Sequence, residues 1–348
     1  MRAAILNGPG QIRVENVDDP IIVAPTDALV RITASCICGS DLWHYRGHTQ
    51  RRGRIGHEFL GVVEEIGPDV GTVRVGEVVV APFVYSCGKC VNCLAGWTTS
   101  CLYGGDWGMP DRDGYPVDGG QGEYIRVPLA DGTLVPARVP ANDDRTAALL
   151  ALTDVMGTGY HAAKSAGAGP GRTIVVVGDG AVGLCAVLAA ARLGAERIIA
   201  LSTHPDRAAI AETFGATDIV PARGEEAVQT VLALTGGLGA DGAGECVGST
   251  AAWETALDVV RPGGFVGYVG VPHAVQDGLP LWKMFRRNVN VRGGVAPVRS
   301  YLPELLNDVL EGILDPSPVF TGTVSLTDIA TGYADMDSRK EIKVMVRP

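Results

Sequence analysis

The stretch "VVVGDGAVG", residues 175–183, decides the fold. Val175–Val177 end a short apolar strand, and Gly178, Gly180 and Gly183 follow in G-x-G-x-x-G spacing as a helix opens. In such a turn the first glycine permits the tight bend and the second lets backbone approach a pyrophosphate. The third packs the helix on the strand. The helix opening at Ala181, Val182 and Gly183 offers N–H groups and a partial positive charge to phosphates. The plainer alternative is a glycine-rich turn that binds nothing.

The surrounding texture argues against that alternative. "TIVVVG" (173–178) reads as a strand and "AVGLCAVLAAARLGA" (181–195) as a helix. "RIIALS" (197–202), "HPDRAAIAETFGA" (204–216) and "TDIV" (217–220) continue the alternation, and "GADGAGECVG" and "GGFVGYVGVP" add later strands. Strands separated by helical runs of 10–15 residues imply a parallel, doubly wound sheet. Before about Pro140 the chain consists of short β-like runs broken by Gly, Pro and Asp, such as "ALVRITA", "LGVVEEIG" and "GEYIRVP". "DDRTAALLALTDVMGTGYHAAK" (143–164) reads as helical, and "EIKVMVRP" closes the chain as a strand. The expected layout is an α/β protein with a β-rich domain over 1–152 and a dinucleotide-binding insert over 153–291. Residues 292–348 return to the first domain.

With 348 residues, the chain is longer than one core usually holds. Its net charge of −10 argues against nucleic acid or an anionic membrane as partner. No long apolar run would span a bilayer, and the N-terminus lacks a signal peptide's apolar core, so a cytoplasmic location is expected. Thiols stay reduced there, and clustered cysteines are more often metal ligands than disulfides.

In "CGKCVNCLAGWTTSC", four of the eight cysteines, Cys87, Cys90, Cys93 and Cys101, fall within one short loop. Four thiolates so spaced close a tetrahedral shell around Zn²⁺ with no open position. An iron–sulfur cluster is the rival reading. Cys36, Cys185 and Cys246 lie in or beside apolar runs and are expected in the core. A dispersed set, Cys38, His57, Glu58 and Asp154, is bland residue by residue. The second strand ends in Ser202, where an NAD-binding site would carry an acid. Ser202 and Thr203, with His204 and Arg207, suit a 2′-phosphate better, so NADP(H) is favoured over NAD(H).

Taken together, "CGSD", "GHEFLGVVEEIG", the four-Cys loop, "TGYHA", the glycine turn, "FGATDIV", "ECVGS" and "RPGGFVGYVGVP" resemble the zinc-dependent medium-chain alcohol dehydrogenase family over the whole chain. The resemblance implies a GroES-like β-rich catalytic domain, with a structural-zinc lobe near 85–105, and a Rossmann domain between its two segments. It implies two zinc ions per chain. Cys38, His57 and Asp154 would hold the catalytic zinc, with Glu58 nearby, and the four-Cys loop would hold the structural one. An Asp as third ligand departs from members with a Cys there and is similar to bacterial secondary-alcohol members.

The resemblance also places Asp41 behind His57 and makes Ser40 the hydroxyl that begins a proton relay. His44 stands beside Trp43, which occupies the position where many members carry the relay histidine. Thr158, Val247, Val269, Gly270 and Val271 would line the nicotinamide, and Lys343 would reach the pyrophosphate. Trp43 and Trp107 are candidates for pocket walls, or for simple packing, and Trp282 with "KMFRR" for surface. The activity implied is hydride transfer between an alcohol or polyol and NADP(H), in a homodimer or homotetramer. The alternatives are NAD(H) on a polyol or biosynthetic intermediate, a non-catalytic zinc- and dinucleotide-binding redox sensor, and a zinc-free quinone reductase relative. The last of these would lack both metal sets.

Overall fold

The computed structural model describes residues 1–48, 51–272 and 278–348. The chain divides into two compact units, Met1–Asp154 with Pro297–Pro348, and Val155–Ala296.

In the first unit, β1 (Ala28–Cys36) turns Ala28, Val30 and Ile32 inward at alternate positions, as a half-buried strand requires. After it come α1 (Asp41–Tyr45), β2 (Phe59–Ile66), β3 (Val78–Ala81), β4 (Tyr124–Val127) and α2 (Thr146–Ala151). β1 pairs antiparallel with β2 and, on its other edge, with β4. Phe59, Val63, Val79 and Ile125 fill the core beneath them. Each such fully buried side chain contributes about 1.5–3 kcal/mol relative to exposure.

The second unit begins with α3 (Val155–Ser165) and continues β5 (Thr173–Val177), α4 (Ala181–Arg192), β6 (Arg197–Leu201), α5 (Pro205–Thr213) and β7 (Asp218–Val220). It then runs α6 (Gly224–Leu234), β8 (Ala240–Glu245), α7 (Thr250–Val259), β9 (Val260–Tyr268), α8 (Leu281–Arg287) and β10 (Asn290–Gly293). The sheet order is β7-β6-β5-β8-β9-β10, and every pairing is parallel. The order reverses at β5, which places the ligand crevice beyond the carboxyl ends of β5 and β8. Val175, Val177, Ile199, Leu201, Val266 and Trp253 form its core.

The chain returns to the first unit through α9 (Val298–Leu310), β11 (Gly322–Ser325), α10 (Ile329–Asp337) and β12 (Val344–Arg347). β12 pairs antiparallel with β1, setting Met345 opposite Cys36. That register brings Lys343 beside Ile37 and the start of β2.

The helical run 143–164 is broken rather than continuous. Thr153 donates from both its N–H (3.1 Å) and Oγ1 (2.7 Å) to the Leu150 carbonyl, so the turn tightens and α2 stops. Asp154 therefore stands in a gap between helices. Among the described residues, no helix is long and apolar enough to cross a membrane.

Candidate functional site

Each residue of the dispersed set arrives on a different element. Cys38 follows β1, His57 and Glu58 precede β2, and Asp154 fills the gap after α2. The structure brings all four together: one ligand atom from each lies within 4.8 Å of every other. Cys38 Sγ is 3.7 Å and His57 Nε2 is 3.5 Å from Asp154 Oδ2. Zinc bonds of about 2.0–2.3 Å place neighbouring ligand atoms about 3.3–3.8 Å apart in a tetrahedron, so the spacing fits one zinc ion. A second observation agrees: Glu58 Oε2 is buried with no hydrogen-bond partner, an arrangement that a nearby cation would relieve.

Asp41 lies behind the set, with Oδ1 3.4 Å from His57 Nδ1 and Oδ2 accepting the Cys38 N–H at 3.0 Å. Gln121, absent from the sequence reading, donates from Nε2 to Asp41 (3.2 Å) and to the Cys36 carbonyl (3.1 Å). Tyr333 OH in turn donates to Gln121 Oε1 at 2.9 Å. Gly56, at φ +94°, makes room for this chain, because a Cβ there would lie 2.5 Å from Gln121. Burial alone would push the His57 pKa down; the Asp41 and Cys38 charges outweigh it and raise the pKa well above the ordinary value.

Ser40 is the N-cap residue of α1 but its hydroxyl makes no capping bond. His44 is half-buried on the same helix, and burial followed by the Arg51 charge pushes its pKa down. Trp107 packs edge-on against Phe59 inside the β core, with Nε1 donating to Pro82 O at 2.9 Å, so it is a packing residue. Trp282 is 69% exposed.

Lys343 differs from expectation. It is 1% exposed, with Nζ 2.6 Å from Glu58 Oε1 and 3.3 Å from the Ile37 carbonyl. An enclosed ammonium held this way is not offered to a pyrophosphate, because the β12–β1 register points it at Glu58.

In the four-Cys loop, Cys87, Cys90 and Cys93 are buried and Cys101 is half-buried. Their sulfurs all lie within 4.8 Å of one another, with Cys90 and Cys101 at 3.9 Å. A single ion suits this closeness, whereas a cluster would interpose its own iron and sulfide between the thiolates. Backbone N–H groups, that of Leu102 first, pull the Cys90 thiol down to about 6, while burial pushes Cys93 up to about 12. Four thiolates this close repel one another, and a shared cation relieves that repulsion. Cys36 and Cys185 are core residues as expected, but Cys246 is only half-buried.

In the second unit the glycine turn has the expected form. Gly178 adopts φ +116°, and a Cβ on Gly183 would lie 1.9 Å from the Gly178 carbonyl. A Cβ on Gly180 would enter open space, the cradle a pyrophosphate needs, and no side chain caps α4. At the ends of β8 and β9, buried Glu245 gathers the loops. Its Oε1 accepts N–H from Val247 (2.8 Å) and Gly248 (2.7 Å), and its carbonyl accepts N–H from Val269 (2.9 Å) and Gly270 (3.1 Å). Thr158 lies in the second turn of α3, whose next residue, Gly159, lets α4 approach: a Cβ there would meet Ala186 N at 2.5 Å. Ser202, His204 and Arg207 are already engaged. Ser202 Oγ donates to Asp179 Oδ2 (2.9 Å), His204 Nδ1 lies 2.8 Å from the same oxygen, and Arg207 Nη1 is 3.3 Å from Oδ1. Thr203 Oγ1 accepts from Arg223 at 2.9 Å.

A GroES-like β unit in which Cys38, His57, Glu58 and Asp154 converge, together with a doubly wound unit bearing the glycine turn, fits the class of metal-dependent dehydrogenases. Residues 24–138 match the alcohol dehydrogenase GroES-like domain, and residues 181–311 match the zinc-binding dehydrogenase model. A probable zinc-binding alcohol dehydrogenase of Mycobacterium tuberculosis is 37% identical over 100% of this chain and 89% of its own length. A glutathione-independent formaldehyde dehydrogenase of Pseudomonas aeruginosa is 30% identical over 100% of this chain and 97% of its own. The solved alcohol dehydrogenase of Thermus sp. ATN1 superposes with a TM-score of 0.90 at 32% identity, covering 100% of this chain and 99% of that one. The chain belongs to the zinc-dependent medium-chain alcohol dehydrogenase family and is a zinc-type alcohol dehydrogenase.

Proposed function

We propose that this enzyme oxidises an alcohol or polyol, or reduces the matching carbonyl compound, with Cys38, His57 and Asp154 holding the catalytic zinc. The observation that carries the assignment is the 3.5–3.7 Å spacing of their ligand atoms, set against the lone Glu58 oxygen beside them. Zinc at this place supplies Lewis acidity toward a substrate oxygen, and a bound nicotinamide supplies or accepts the hydride.

The chain's own residues orient the donors and move the proton. Asp41, braced by Gln121 and Tyr333, fixes the His57 ring so that Nε2 points to the metal. The Ser40 hydroxyl is not used in capping and takes the substrate hydroxyl proton. His44, with its pKa lowered, is neutral near pH 7 and is the next acceptor. The Ala181–Gly183 amides hold the pyrophosphate, and Thr158, Val247, Val269, Gly270 and Val271 line the nicotinamide. NADP(H) would need Ser202, Thr203, His204 and Arg207 for its phosphate. Asp179 occupies three of these and favours NAD(H) instead.

In this reading Cys87, Cys90, Cys93 and Cys101 hold the structural zinc. Cys93→Ser should lower zinc content by one ion per chain and cost about 4 kcal/mol or more in stability, because metal binding here is folding energy. Metal analysis with urea unfolding reads both; full stability at reduced zinc content would refute the role. Cysteines clustered as metal ligands, in the loop and at Cys38, suit a reducing, cytoplasmic setting. A homo-oligomer is supported by α8, which exposes Leu281, Trp282 and Phe285 at 71%, 69% and 73%. A panel of primary alcohols, secondary alcohols and polyols, followed by nicotinamide absorbance with zinc-loaded and chelated protein, tests the activity. Zinc-dependent turnover on at least one member is expected; equal turnover after chelation would overturn the assignment.

A further inference from the structure

In a doubly wound fold, the residue that recognises the adenosine ribose stands at the carboxyl end of the second strand. In this chain that strand is β6, and it ends without an acid: Leu201 is followed by Ser202. The neighbouring strand supplies one. β5 and β6 run parallel in register, with Val177 opposite Leu201, so residues just past the two strand ends adjoin. Asp179, two residues beyond β5 in the glycine turn, reaches across this edge to Ser202, His204 and Arg207.

We infer that Asp179 is the specificity-determining residue of the adenosine site, standing in for the missing strand-end acid and selecting NAD(H) by excluding a 2′-phosphate. The inference rests on the dinucleotide reading proposed above. The Asp179 side chain is 15% exposed, so solvent screens its charge only in part. Burial alone would raise its pKa, but bonds from His204 and Ser202 and the Arg207 charge outweigh that and lower it, keeping the carboxylate ionised at neutral pH. A fixed carboxylate here accepts a hydrogen bond from a ribose 2′-hydroxyl and repels a phosphate dianion. It also neutralises Arg207, the best-placed cation, whose side chain is 11% exposed. Arg223 remains beside Thr203, but its guanidinium bonds the hydroxyl in an exposed position, where solvent weakens its pull on a phosphate.

The test is titration of the holoenzyme with ADP-ribose and with 2′-phospho-ADP-ribose, probes that need neither zinc chemistry nor a known alcohol. The wild type should bind ADP-ribose at least about tenfold more tightly, as a close charge pair would dictate. Asp179→Asn keeps the shape and removes the charge, so it should close that gap by about tenfold. Asp179→Ser combined with Ser202→Asp returns an acid to the strand end and should restore the preference. If neither probe binds the wild type, the dinucleotide reading itself fails. If both bind and Asp179→Asn leaves their ratio unchanged, Asp179 only braces the loop and the inference is overturned.

Discussion

Cys38→Ala and Asp154→Ala should each lower turnover at least about 10³-fold while leaving secondary structure and one zinc per chain intact. Each removes one of the three donors that converge on a single tetrahedral position, and two donors do not retain zinc in a catalytic geometry. Asp154 is the sharper variant, because it stands between two helices rather than within either. Circular dichroism shows whether the fold survives, and steady-state kinetics on any substrate found active shows the loss. Asp154→Cys supplies a thiolate at the same place and should recover part of the activity. If Asp154→Ala turns over at the wild-type rate, the ligand assignment is wrong.

The second large effect concerns stability. Lys343→Met should cost about 3–5 kcal/mol, because it leaves the Glu58 carboxylate buried without its partner. The two side chains are 1% and 0% exposed, so water cannot take over the lost interaction. Burial opposes the Lys343 charge, but the Cys36 and Glu58 side chains more than compensate and raise its pKa well above the ordinary value. A raised lysine pKa gives stability that is present below the unfolded value of about 10.4 and lost as pH climbs through the folded one. Wild type should therefore keep this contribution through neutral pH and lose it only in strong alkali. The Lys343→Met/Glu58→Gln double variant removes both charges and should recover most of the loss in urea unfolding. A single-variant cost below about 1 kcal/mol would mean that the pair is not held as the structure draws it.

How much of this was readable in advance depended on the distance over which each signal acts. The glycine turn, the alternating strands and helices and the four-Cys loop are local, and their residues lie within a few positions of one another. The parallel, doubly wound character of the sheet followed from that texture, whereas its strand order did not. The Cys38–Asp154 pairing spans 116 positions, and no spacing rule brings those residues together. It was reached only through likeness to a family. The break after α2 was hidden because "TAALLALTDVMGTGYHAAK" has helical texture throughout, and a side-chain bond from Thr153 ends the first helix. Lys343 was misplaced because its neighbour depends on the register of β12 against β1, set by strands at opposite ends of the chain. Asp179 and Gln121 were missed for the same reason: each acts through a neighbouring strand or loop, and neither carries a sequence signature of that contact.

Diffraction from the zinc-loaded enzyme, collected across the zinc absorption edge, tests the central claim most directly. Two anomalous peaks per chain are expected. One should lie among the four loop sulfurs, and the other should lie about 2.0–2.3 Å from Cys38 Sγ, His57 Nε2 and an Asp154 oxygen. A single peak confined to the cysteine loop, or a second peak out of bonding range of Asp154, would contradict the account.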